Sequence, residues 1–179
     1  MIKRILGNWY RYVLWALLSA VFWAWIFTLL FSATPKRKVV LYADQPELDR
    51  NALSMTLEED LPKGIRIVDT AAFDDMMFNQ TAVLAGDLYL ISESKTEEYL
   101  ASFAPIDRAD FPGATFYESD GEAYGILVYD EETGLNTAGE YIFYIPHERC
   151  WLFFSKDSLH TGELDDAAIT IAQHFLKLH

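Results

Sequence analysis

Cysteine is nearly missing from this chain. Cys150 stands alone, which excludes an intramolecular disulfide and any cysteine-rich zinc site and speaks against a disulfide-stapled secreted module. Catalytic signatures are missing as well. There is no glycine-rich phosphate loop, no nucleophile elbow and no His-Glu-x-x-His. Of the histidines His147, His160, His174 and His179, only His147 lies near the cysteine. The spacing His147-x-x-Cys150 suits a nucleophile pair or half a metal site, but it falls in an expected turn between two strands and reads as incidental. Acidic runs occur at Glu58-Glu59-Asp60, Asp74-Asp75, Glu131-Glu132 and Asp165-Asp166. Neighbouring side chains on a helix diverge by about 100°, so such doublets read as solvated faces and helix-end charge rather than catalytic pairs. The sequence predicts no enzyme, no metal and no cofactor.

Acid is absent from residues 1–38, and base is scarce everywhere else. The first 38 residues hold six of the fourteen basic residues, leaving eight against all twenty-seven acidic ones, a net −19 for residues 39–179. A domain of that charge is repelled by nucleic acid and by anionic lipid headgroups, and attracts cationic ligands. A nucleic-acid partner is excluded on this ground.

The chain also has one long stretch without charge. Residues 12–33 are uncharged and mostly aliphatic or aromatic, bounded by Arg11 and Lys36. A helix of about 22 residues spans the roughly 30 Å hydrocarbon layer. Trp9, Tyr10, Tyr12 and Trp15 form an aromatic belt at its start, and Pro35 ends it. The run exceeds a signal-peptide core of about 7–15 residues. Bulky Phe31 also spoils the best cleavage position after Ala33. An uncleaved signal-anchor in the bilayer, residues 1–35 with a short tail, is therefore expected. Ala16, Ala20 and Ala24 recur every fourth residue, a stripe on which a second helix can pack closely. Three basic residues lie on each side of the span, so flanking charge does not orient it.

Residues 36–179 read as one α/β domain. A buried strand is predicted at 38–43, a helix from Pro46 to about Leu61 with Leu48, Ala52, Met55 and Leu57 on one face, and a second strand at 65–68. A helix follows over 70–84 with Gly86 as its C-cap, then a third strand at 87–91. Ser94-x-x-Glu97 reads as a capping box opening a helix to Phe103. Strands at 124–129, 141–145 and 150–154 and a helix at 164–178 complete the chain. Apolar strands alternating with helices predict a three-layer domain with a mainly parallel sheet and antiparallel additions. Ligands of such sheets bind beyond the carboxyl ends of the strands. Here that means Asp44 and Gln45, then Asp69 and Thr70, then Ser92, Glu93 and Ser94, a set suited to a polyol or a cationic solute.

The segments Lys-Val-Val-Leu-Tyr at 38–42, Gly-Ile-Arg-Ile-Val at 64–68, Ala-Gly-Asp-Leu-Tyr-Leu-Ile at 85–91, Phe-Ala-Pro-Ile-Asp at 103–107 and Gly-Glu-Ala-Tyr-Gly-Ile-Leu-Val-Tyr at 121–129 carry a likeness. Together they resemble the N-terminal lobe of bacterial extracellular solute-binding proteins of ABC transporters, of the sugar-binding type. The resemblance covers roughly residues 38–130. Leu127 stands where the family usually has proline, and no second lobe follows. The resemblance implies a periplasmic-binding-protein-like lobe outside the cell membrane, an accessory or sensor of a transporter, with Asp44, Gln45, Ser92 and Glu93 facing a small polar solute. The alternative is an interaction module that has lost its ligand and docks on another membrane protein.

Overall fold

In the computed structural model of the chain, residues 12–31 of the uncharged run lie in one helix, α1 (Trp9–Phe31), which also takes in Arg11. The structure describes residues 9–31, 34–74, 86–162 and 164–178. The chain divides into two compact units at the Thr34–Pro35 junction. The helical unit is long and apolar enough to cross a membrane, a property shared by membrane anchors and signal sequences. Its large side chains, Trp15, Phe22 and Trp25 among them, are exposed, as in a helix whose solvent is lipid rather than protein. Ala16, Ala20 and Ala24 fall on one side of it by their four-residue spacing.

The second unit is α/β, built on a mixed seven-stranded sheet. Its strands are β1 (Lys38–Ala43), β3 (Ile67–Ala72), β4 (Leu88–Ser92), β5 (Phe116–Ser119), β6 (Glu122–Asp130), β7 (Leu135–Asn136) and β9 (Cys150–Phe154). The order is β3-β1-β4-β9-β6-β5, with β7 also paired to β6. Only β3-β1 and β1-β4 are parallel. The four remaining pairings are antiparallel, so the sheet is not mainly parallel as expected. The reason is the place of β9: it inserts between β4 and β6 and runs antiparallel to both. A separate ribbon pairs β2 (Glu47–Leu48) with β8 (Ile142–Phe143).

Alternation along the strands fills two cores. On one face Leu41, Leu90, Val128, Leu152 and Phe154 pack with Leu53 and Leu57 of α2 (Arg50–Leu57) and with Ala168, Ile171 and Phe175 of α4 (Ala167–Phe175). On the other, Tyr89, Ile91, Trp151 and Phe153 pack with Tyr99 of α3 (Glu93–Tyr99) and with Phe103. Phe103 and Phe153 stack with centroids 4.4 Å apart. The strand at the centre, β9, is buried along its whole length, which explains its unbroken apolar sequence.

Several sequence expectations are corrected. The first domain helix spans Arg50–Leu57, not 46–61: Asp49 caps it by accepting from Ala52 N, while Glu47 and Leu48 pair as a strand. Its buried positions are Leu53 and Leu57, and Met55 is exposed. Residues 70–72 are strand rather than helix, because Leu41 to Ala43 of β1 extend the parallel pairing across Thr70 to Ala72. The rest of the expected 70–84 helix, from 75 onward, and hence the capping role of Gly86, lies outside the described residues. The helix after β4 starts at Glu93, so Ser94 lies inside it and caps nothing. It gives way after Tyr99 to a 3-10 turn, Leu100–Ser102. The 141–145 strand shrinks to Ile142–Phe143 outside the main sheet, and the last helix to Ala167–Phe175.

Candidate functional site

The carboxyl ends of β1 and β4 lie side by side, and there the chain builds a dense polar knot. Asp44 and Gln45 leave β1; Ser92 ends β4 and Glu93 opens α3. Gln45 Nε2 donates to Ser92 Oγ at 3.3 Å and lies 3.4 Å from Cys150 Sγ, while its Oε1 accepts from Ile145 N at 3.1 Å. Ser92 Oγ donates to the Asp44 carbonyl at 3.3 Å. Lys95 Nζ pairs with Asp44 Oδ1 at 2.8 Å. Asp44 Oδ2 is buried and meets no hydrogen-bond partner among the described residues.

The segment that enters β9 lies across these ends. Glu93 N donates to the Arg149 carbonyl at 2.9 Å, and Ser94 N to Glu148 Oε1 at 3.0 Å. Residues 145–150 thus occupy the crevice where an open α/β sheet would hold a ligand. Of the predicted site residues, the structure brings Asp44, Gln45 and Ser92 into one network and turns Gln45 and Ser92 inward on the protein itself. Asp69 and Thr70, expected beyond the second strand, are instead within β3. Asp69 pairs with Lys38 at 2.6 Å, and the Thr70 hydroxyl donates to the Arg50 carbonyl at 2.8 Å.

Glu93 faces a different space. It lines a cavity of about 480 Å³ with Asp130, Glu131, Glu132, His147, Glu148 and Arg149. Arg149 lies 3.6 Å from the buried carboxylate of Asp130 and 3.5 Å from Glu132. Glu131 Oε2 accepts from His147 N at 2.9 Å and is equally close to His147 Nδ1, which holds His147 at φ 62°. Five carboxylates around one guanidinium and one imidazole leave the cavity negative, a setting for a cationic group. Sequence reasoning placed only Glu93 at a ligand site, and weighed His147 with Cys150 rather than with Glu131. Glu131 and Glu132 looked like a solvated doublet, and only the insertion of β9 beside β6 carries Arg149 to them.

Burial pushes the Cys150 thiol well above its ordinary range, which favours the protonated form over the thiolate. His147 is engaged with Glu131 rather than with Cys150. Among the described residues no three His, Cys, Asp or Glu side chains converge as a metal site. A larger cavity of about 1130 Å³, lined by Phe111, Ile126, Leu135 and Leu176, shares no residue with this edge. No protein-family model matches the chain, and no curated protein matches it.

Proposed function

We propose that the chain is a membrane-anchored, non-enzymatic module derived from a single lobe of the solute-binding type, which works by docking a partner protein rather than by enclosing a solute. The observation that carries this is Gln45, whose amide spans Ser92, Cys150 and Ile145 across the crevice. A lobe that turns Gln45 and Ser92 onto its own backbone and side chains leaves only Asp44 Oδ2 there without a hydrogen-bond partner among the described residues, too little to hold a sugar. What remains exposed at that edge is the acidic rim of Glu93, Glu131, Glu132 and Glu148. The partner it suits is basic, and the anchor α1 keeps the two at one surface. The N-terminal tail is cytoplasmic and the domain extracytoplasmic in this reading.

The test is a site-specific photo-crosslinker at Glu132 in native membranes. One constant partner should be captured, and Glu131→Lys with Glu132→Lys should abolish the capture. Protease added to intact cells should cleave the domain; protection would reverse the orientation.

A second reading is favoured by the cavity itself. Its volume lies in the range of small-molecule sites, about 300–1000 Å³, and its charge suits a polyamine or another cationic solute delivered to a transporter. A thermal-shift screen of the full chain separates the two. A ligand that binds only the native state must raise its melting temperature. Stabilisation by a cationic solute would select the second reading; stabilisation by a neutral sugar would refute the closed crevice.

A further inference from the structure

Both ring nitrogens of His160 face hydrogen-bond acceptors. Nδ1 lies 2.8 Å from Asp165 Oδ1, and Nε2 lies 3.1 Å from the carbonyl oxygen of Pro35. The residue is only 1% exposed, so water does not take the place of either partner. A neutral imidazole carries one N–H and one lone pair. It would satisfy one of these oxygens and set its lone pair against the other. Only the imidazolium donates to both. Asp165 Oδ1 also accepts from Ala167 N at 3.0 Å, so that oxygen serves the first turn of α4 as well.

The ring sits where four pieces of chain meet. Pro35 is the first residue of the domain, four positions after the last residue of α1. His160 N donates to Ser158 Oγ at 3.0 Å, and Ser158 Oγ donates to Asp87 Oδ1 at 2.6 Å. Asp87 Oδ2 accepts from Val40 N of β1 at 2.9 Å, and the His160 carbonyl accepts from Ala168 N of α4 at 3.0 Å. Among the described residues, the charged groups facing the ring are Asp165, from the loop before α4, and Asp87, just before β4; the Pro35 turn presents its carbonyl.

We propose that His160 is a proton-operated clamp on the segment joining the domain to α1: charged, it ties Pro35 to the 158–165 loop, and loss of its proton releases that segment. The clamp's chemistry is independent of what the acidic rim binds. Burial works against the charged ring, but Asp165, the Pro35 carbonyl and Asp87 outweigh it and raise the pKa above the ordinary 6.5. The folded pKa exceeds the unfolded one. The clamp's contribution is therefore complete below about pH 6.5 and is lost as pH rises through the higher folded value.

The full chain in detergent micelles, labelled with ¹⁵N-histidine, tests this. NMR follows the ring nitrogens of His160 from about pH 5.5 to about pH 9. Tryptic cleavage after Lys36 and Arg37 is followed in parallel, normalised at each pH to a free peptide of residues 34–40. Both nitrogens should be protonated at about pH 6.5, and cleavage should rise severalfold along the His160 titration. Asp165→Asn should move both midpoints together to lower pH, and His160→Gln should give high cleavage at every pH. Should His160→Gln fail to fold, Asp165→Asn decides alone. A neutral His160 ring at about pH 6.5, cleavage that ignores its titration, or an unmoved midpoint in Asp165→Asn would each overturn the proposal.

Discussion

Gln45 and Ser92 stand 47 residues apart in the chain, yet the amide of one donates to the hydroxyl of the other at 3.3 Å. Ser92 passes the connection back to the Asp44 carbonyl, and Gln45 carries it on to Ile145 N. Gln45, expected to meet a ligand, instead holds the 145–150 segment against the sheet, with Ser92 as its anchor.

Replacing Gln45 by leucine keeps the volume and removes every polar contact. Ile145 N then loses its side-chain acceptor, and Ser92 loses a donor. A cost of about 1–3 kcal/mol follows for stranding such groups. Urea unfolding of the full chain in micelles measures it, and a loss below about 0.5 kcal/mol would contradict a crevice held shut by this residue.

Gly125 pairs across from Phe153, and the phenyl ring lies over it. A Cβ on Gly125 would meet Phe153 Cε1 at 2.6 Å. Phe153 cannot retreat easily, because its other neighbours include the stacked Phe103. Gly125→Ala should therefore destabilise by about 1–3 kcal/mol through overpacking, despite the better strand propensity of alanine. The same unfolding assay reads it, and a stabilised variant would show that the ring moves freely.

Leu18 lies in the interior of α1 and is exposed to whatever surrounds that helix. If the surroundings are lipid, Leu18→Arg places a charge near mid-bilayer at about 2.5–3.5 kcal/mol. The expected outcome is a large rise in the fraction extracted from membranes by alkaline carbonate. Unchanged extraction would remove α1 from the bilayer.

Asp87 is 4% exposed, and burial raises its pKa above the ordinary 3.8 even though Ser158 and Val40 donate to it. For a carboxylic acid with a raised folded pKa the folded state holds its proton longer. Stability then falls as pH rises from about 3.8 through the folded value and is flat beyond it. Melting temperatures of the parent chain and of Asp87→Asn should diverge across that interval, with the parent declining more steeply. A parent curve that rises relative to the variant would mean that the hydrogen bonds outweigh the burial.

Much of the fold was legible because burial writes itself into composition. Lys38–Ala43 is a strand as expected, and Leu88–Ser92 and Cys150–Phe154 lie within a residue of expectation, since each holds a short apolar run with at most one polar residue at its end, too short for a helix. Thr70, Ala71 and Ala72 were misread because their helix-compatible sequence says nothing of the β1 edge waiting to pair with them. Ser94 misled for a similar reason: its N–H has an acceptor, but that acceptor is Glu148, 54 residues away.

By itself the sequence determined the apolar N-terminal helix, the separation of a basic head from an acidic domain, and the α/β class. These depend on length, charge and periodicity, which are local quantities. Tertiary structure decided the place of β9, and with it the filled crevice, the acidic cavity and the His160 contacts. Each of those joins residues distant in sequence, as Pro35 and His160 are. Their meeting depends on strand order, which no local pattern encodes.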